Sequence, residues 1–313
     1  MDRNDVSWRG YWAACPTPFR EDGSLALDTL RALLDYYADE GLHGVLMNGT
    51  TGEWFSQSPD ERRKVAEAAV EHVAGRMSVV VGCTDYTAEL VAGYAEHAMS
   101  VGADGVASTP PPYSKPYPDE VVAFYEDISR GTGAPLMVYN WPHGTSVDVG
   151  TELAERIVGV DNVVALKDST PDVDQFHATA GAVVERVRVF GQFMSTDGFE
   201  HLLQGHGDGT IGGGTLFGAA DARFWEAFWV GDHDACRAHA ARIDHLFPQL
   251  WLPGGWGGHH GAYQSTLKAL MAMLGQPGGA PRRPRLPLTA PEALADLRRA
   301  LVGAGLLPVG NGS

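Results

Sequence analysis

Short apolar runs alternate with amphipathic stretches along most of this chain, at a spacing few folds can satisfy. The runs are YWAACP (11–16), GVLMNG (44–49), SVVVGC (78–83), GVASTP (105–110), PLMVYN (135–140), VVALKD (163–168), VRVFGQ (187–192) and GTIGGG (209–214). Most are β-branched or otherwise apolar throughout, as strands covered on both faces are. Between them Leu30, Leu33, Leu34 and Tyr37 follow a helical stripe, with Gly41 as its stop. SPDE at 58–61 offers Ser58 as N-cap, Pro59 at the first helical position and Glu61 to close a capping box, and Val65, Ala69 and Val73 form the inner stripe. Segments 119–128 and 151–158 read the same way. Eight such strands separated by helices predict a (β/α)₈ barrel closing near residue 220, since a doubly wound sheet would use fewer strands. We expect a barrel domain over 1–220 and a helical extension over 221–313. The stretch 221–247 reads as helical throughout, followed by the glycine-rich PGGWGGHHG (253–261) and helical stretches near 263–274 and 291–302.

Composition narrows the partners. A chain of 313 residues can bury a sizeable core, and a formal net charge of −16 argues against nucleic acid or an anionic membrane as partner. It does not forbid an anionic small molecule in a locally positive site. The three cysteines, Cys15, Cys83 and Cys236, have no close spacing and read as reduced thiols. MDRNDVSWRG lacks the apolar core of a signal peptide, and no apolar run approaches the ~20 residues of a membrane helix. A cytoplasmic protein is expected.

Barrel sites lie at the C-terminal ends of the strands. Lys167 closes the sixth run, NVVALKDST, so it should project into that mouth. Apolar walls disfavour the charged ammonium, and a neutral amine can attack a carbonyl carbon to form a Schiff base. The plainer alternative is a snorkelling lysine paired with Asp168. The fifth run ends at VYN, which brings Tyr139 to the same mouth as a proton carrier. The second ends at NGTTGE (48–53), where hydroxyls and turn N–H groups can hold a carboxylate. PPPY puts Tyr113 at the rim.

Together GTTGE, YN with a proline two residues on, and ALKDST resemble the dihydrodipicolinate synthase / N-acetylneuraminate lyase family. The spacings agree: Lys167 follows Thr50 by 117 residues, Tyr113 by 54 and Tyr139 by 28. The likeness runs from CPTPF (15–19) to PRRPRLPL (281–288). It implies a class I pyruvate-type aldolase on a barrel with a helical extension, assembled as a tetramer of two dimers, with no cofactor and no metal. By that match Lys167 forms the Schiff base with pyruvate or another 2-oxo acid, and Tyr139 is the acid/base. Thr50 and Thr51 bind the carboxylate, Thr50 also relaying protons. Tyr113 completes the relay, from its own or the neighbouring subunit, and Ile211 lines the pocket.

Departures cluster where a second substrate would sit. Lysine-biosynthetic members carry an arginine soon after YN, whereas YNWPHGTS has His143 near that position, assigned here to the substrate's distal end or to a loop without a role. Losing a bidentate carboxylate clamp disfavours aspartate semialdehyde. Pro112 replaces a second tyrosine, Pro171 a common glycine, and GGGTLFGA lacks the usual asparagine and proline. His259 and His260 have no third ligand at metal spacing. GDGTIG (207–212) matches a dinucleotide fingerprint in letters but opens no helix, so its glycines are read as packing devices. The expectation is a lyase making or breaking a C–C bond on a 2-oxo acid. Its alternatives are a dehydratase of a 2-keto-3-deoxy sugar acid, 4-hydroxy-tetrahydrodipicolinate synthase, and an inactive barrel serving as a scaffold.

Overall fold

A computed structural model describes residues 1–309. Eight parallel strands close in chain order: β1 (Gly10–Ala14), β2 (Gly44–Met47), β3 (Ser78–Gly82), β4 (Gly105–Ser108), β5 (Leu136–Asn140), β6 (Val163–Asp168), β7 (Arg188–Phe190) and β8 (Gly209–Gly213), with β8 paired to β1. Every apolar run lies on one of them. The strands stop short where the runs end in turn-forming residues, as at Asn48–Gly49 and Thr109–Pro110.

Alternation along each strand sorts the side chains. On β5 and β6, Val138 and Leu166 point out to the helices, while Met137, Tyr139, Ala165 and Lys167 belong to the inner face. Trp8, Trp12 and Phe190 fill the N-terminal half of the barrel, with Trp12 5.7 Å from Trp8 and 5.1 Å from Phe190 between ring centroids. Gly209 makes this possible, because a Cβ there would lie 2.3 Å from the Phe190 ring and 2.5 Å from the Gly10 carbonyl oxygen. The glycines of GDGTIG therefore serve closure, and the next helix begins only at Ala219. A floor of large rings leaves the open space at the opposite, C-terminal end.

Outside, helix Leu27–Asp39 buries Leu30, Leu33, Leu34 and Tyr37, each contributing roughly 1.5–3 kcal/mol of apolar burial. Helix Pro59–Val73 starts at the expected capping box: the Ser58 hydroxyl accepts from the Glu61 N–H, and the Glu61 carboxylate accepts from the Ser58 N–H at 2.8 Å. The stretch 221–247 departs from expectation. It is two helices, Ala219–Trp229 and His233–Leu250, broken where Gly231 takes φ +80° and the Asp232 carboxylate caps the second by accepting from the Ala235 N–H. The first packs on β1 as the last helix of the barrel. Beyond it, Leu246, Leu250, Leu267 and Leu297 share one continuous core with Leu33 and Val65. We therefore propose a single folding unit in which the extension begins after Trp229, while the boundary expected at 220/221 falls inside that helix. The glycine-rich loop carries two short antiparallel strands, Gly257–Gly258 and Gly261–Ala262, and leads into helix Tyr263–Met273.

Candidate active site

Lys167 sits at the end of β6 directly opposite Tyr139 on β5. Its side chain is 5% exposed, and Nζ lies 3.5 Å from the centre of the Tyr139 ring. Nζ donates to Ser169 Oγ at 2.8 Å. Among the described residues no carboxylate pairs with it. Asp168 instead turns toward other partners, its Oδ1 accepting from the Asn140 amide at 2.9 Å and the Thr170 N–H at 2.9 Å. The amine thus faces an aromatic ring and one hydroxyl at the mouth of the barrel.

These groups open on a cavity of about 800 Å³ that Thr50, Thr51 and Ile211 also line. The two threonines come from the turn after β2, which is pressed so close to β1 that a Cβ on Gly52 would lie 3.1 Å from the Cys15 carbonyl oxygen. Five residues expected to act together are therefore on one wall system: Lys167, Tyr139, Thr50, Thr51 and Ile211.

Two others are not on that wall. Tyr113 is 90% exposed, with φ +76°, and lies outside the cavity of its own chain. His143, expected at the substrate's distal end, is exposed and stands behind the wall: its ring is 6.0 Å from that of Trp256, and a Cβ on Gly254 would lie 3.0 Å from its Nε2. It touches the residues that face the cavity rather than the cavity itself.

The extension supplies what the sequence reading missed. Trp251, Trp256 and Tyr263 line the cavity together with Trp141 of the barrel. Tyr263 stacks on Trp251 at 4.5 Å, and burial, followed by the nearby Tyr139, pushes its phenol well up. Gln264 donates to the Thr50 carbonyl at 2.9 Å and accepts from Arg285 Nε at 3.1 Å. Below them Lys268 Nζ reaches Glu53 Oε1 at 2.7 Å, the Thr17 carbonyl at 2.7 Å and the Ala280 carbonyl at 2.8 Å. The final glutamate of GTTGE is thus tied to a helix more than two hundred residues on. WPHG after YN was the one available signal, because its tryptophan sits at a strand end; nothing marked the others. His259 also lines the cavity but its Nε2–H donates to the Pro248 carbonyl, while His260 pairs with Asp296, so the two do not converge.

Burial pushes the Asp168 carboxyl up to about 6, against the lowering effect of its Thr170 and Asn140 donors. The folded value lies above the unfolded ~3.9, so this group's contribution to stability is complete below about pH 4 and is lost as pH rises through 6. Asp168→Asn should therefore flatten the pH dependence of stability. Urea unfolding at pH 4.5 and 7 should show the variant gaining on the native chain by ~1–3 kcal/mol across that interval. Parallel curves for the two proteins would contradict it.

A closed parallel barrel that buries one lysine against a phenol at the mouth has the architecture of a lysine Schiff-base lyase. The comparisons agree. A model of the dihydrodipicolinate synthetase family matches residues 7–301. An uncharacterized DapA-like lyase of Rhizobium meliloti is 32% identical over 295 residues, covering 92% of this chain and 93% of that one. The 4-hydroxy-tetrahydrodipicolinate synthase of Gluconacetobacter diazotrophicus is 32% identical over 307 residues, covering 96% and 98%. Among solved structures, the dihydrodipicolinate synthase of Aquifex aeolicus superposes with a TM-score of 0.85 at 26% identity, covering 97% of this chain and all of its own. That of Acinetobacter baumannii, complexed with pyruvate, gives 0.85 at 25%, covering 96% and 99%. The chain belongs to the dihydrodipicolinate synthetase family and is a class I lyase.

Proposed function

We propose that Lys167 condenses with the keto carbon of pyruvate or a related 2-oxo acid, and that the enamine so formed makes or breaks a bond at C3. The supporting observation is the pairing of Lys167 with Tyr139 in register, the amine buried over the ring. In the forward sense the amine adds to the carbonyl, water leaves, and the iminium withdraws electrons so that a proton is lost from C3. Tyr139 carries protons to and from the reacting atoms. Thr50 and Thr51 hold the carboxylate, Thr50 relaying a proton onward, and Ile211 bounds the small end of the site. His143 acts through Trp256 and Gly254, shaping the distal wall without touching substrate.

The wall beyond Lys167 favours an acceptor other than an amino-acid semialdehyde, with 4-hydroxy-tetrahydrodipicolinate synthesis as the alternative. No arginine stands in the WPHGTS stretch that follows YN, the cavity's arginine being Arg285 of the extension, tied to Gln264, and the distal cavity is walled largely by Trp141, Trp251, Trp256, Phe247 and Leu252. Such a wall favours an apolar or flat aldehyde; Gln192, Ser195 and Thr210 are the polar groups a hydroxylated acid would need. Borohydride trapping with pyruvate, followed by peptide mapping, tests the covalent step. A panel of 2-keto-3-deoxy acids and aryl-substituted 2-oxo acids tests the rest: pyruvate release marks an aldolase, water loss without pyruvate a dehydratase. No adduct on Lys167 with any 2-oxo acid would overturn the proposal. Tyr139→Phe should lower turnover by roughly 10²–10⁴ while leaving the Schiff base trappable; a loss below tenfold would remove the phenol from proton transfer.

The protein works as a cytoplasmic oligomer, a tetramer of two dimers by family likeness. All three cysteines are free and buried, and among the described residues no helix is long and apolar enough to cross a membrane. Tyr86, Leu90, Tyr113 and Tyr117 expose apolar surface around the ends of β3 and β4. Tyr113 holds a strained left-handed backbone while pointing away from its own cavity, as a residue serving a neighbour's site would. Co-expressing Lys167→Ala with Tyr113→Phe chains should restore activity that neither homomer has, because a mixed pair holds one complete site. Failure to complement in a verified mixed oligomer would return Tyr113 to the surface.

A further inference from the structure

Away from the mouth, imidazoles and a carboxylate converge between the helices that follow β6 and β7. Asp197 and His201 are four residues apart on helix Thr196–Leu202 and share one face, while His177 meets them from helix Val173–Val183. One ligand atom from each of the three lies within 4.8 Å of the others. His177 Nε2 faces Asp197 Oδ2 at 3.3 Å, and the His177 and His201 rings stack with centroids 3.3 Å apart. His177 is 7% exposed, and the Nδ1 atoms of His177, His201 and His206 are buried with no hydrogen-bond partner. Buried ring nitrogens without hydrogen-bond partners cost free energy that a bound ion would offset. Gly181, one turn beyond His177, clears the space for His206: a Cβ there would lie 3.3 Å from that imidazole.

We propose that His177, Asp197 and His201 bind a first-row transition ion of the Zn²⁺ class, with His206 beside them and water in the remaining position. Two imidazoles and one carboxylate are the donors such ions take, whereas Mg²⁺ and Ca²⁺ require oxygen ligands. Bonds of about 2.1 Å place ligand atoms roughly 3.4 Å apart in a tetrahedral site, so separations of up to 4.8 Å must shrink by up to about 1.4 Å and the stacked His177 and His201 rings must splay so that both in-plane lone pairs meet at the ion. Asp197, whose side chain is 69% exposed, can supply that by rotation and also marks the route of entry. The ion would clamp together two helices whose preceding loops bring Ser169, Gln192 and Ser195 to the cavity. This site is independent of the Schiff-base chemistry.

Calorimetric titration of chelator-treated protein with ZnCl₂ tests it. The native chain should bind one Zn²⁺ per subunit and melt at a higher temperature with it. Asp197→Asn, at an exposed position, and His201→Asn, at a half-buried one, should each weaken binding at least about tenfold while keeping the native near-UV circular dichroism. No Zn²⁺ binding by the native chain, or unchanged binding in either variant, would overturn the assignment.

Discussion

Lys167→Ala should lose turnover by on the order of 10⁴-fold or more, ~5 kcal/mol of barrier, and lose borohydride trapping with it. Both losses follow from one cause, because the same amine is nucleophile and point of covalent attachment. Lys167→Arg separates that cause from its rivals. The guanidinium keeps the positive charge and can still lie over the Tyr139 ring, now 3.5 Å from Nζ, but it does not deprotonate and cannot form the iminium. If the lysine served only to attract an anion, Arg would recover much of the rate. The expected result is that Arg is as inactive as Ala. Both variants should keep the native fold, since the side chain makes one hydrogen bond, to Ser169, and no ion pair among the described residues. A Lys167→Ala protein that still forms a reducible adduct would place the nucleophile elsewhere.

Which parts of this were legible in the sequence follows from how far each signal reaches. The barrel was readable because every strand carries its own burial pattern, and residues such as Leu30, Leu33, Leu34 and Tyr37 declare a helix face within three turns. Lys167 and Tyr139 were readable for the same reason: a polar group ending a buried run is a local anomaly, and strand pairing then puts both ends together. The break at Gly231 was missed because a single glycine between two helical patterns leaves the periodicity nearly intact on either side. Trp251, Trp256, Tyr263 and Gln264 could not be found from local pattern at all. They reach the mouth only because the extension folds back over it, and their sequence surroundings are a glycine-rich loop and an ordinary helix. Tyr113 and His143 mark where a local pattern stops reaching: the strand ends that carry them were placed correctly, but the turn beyond a strand sets where a side chain goes, so Tyr113 lies outside the cavity of its own chain and His143 stands behind Trp256.

The same distance between sequence and site makes Lys268 the position where a change far from the chemistry should do most damage. Lys268 and Glu53 are 2% and 0% exposed in their side chains and meet at 2.7 Å. Burial lowers the lysine's proton affinity, and Glu53 pulls it back up. The second carboxylate oxygen accepts from the Arg282 N–H at 2.9 Å, so one buried glutamate joins the turn after β2, helix Tyr263–Met273 and the proline-rich connector. Lys268→Met keeps the length of the side chain but strands Glu53 as a buried charge without its cation and removes the ammonium donor from the Thr17 and Ala280 carbonyls, the latter keeping only the longer Phe19 N–H contact. The expected loss is about 3–5 kcal/mol, or ~10 °C in melting temperature. Because Glu53 ends the turn that carries Thr50 and Thr51, folded Lys268→Met protein should also need more 2-oxo acid to saturate trapping. Adding Glu53→Gln to it should recover a large part of the stability by removing the stranded charge, a coupling that a double-mutant cycle measures directly. A loss below about 1 kcal/mol, or strictly additive effects of the two substitutions, would mean that the pair does not hold the turn and that the extension merely covers the barrel.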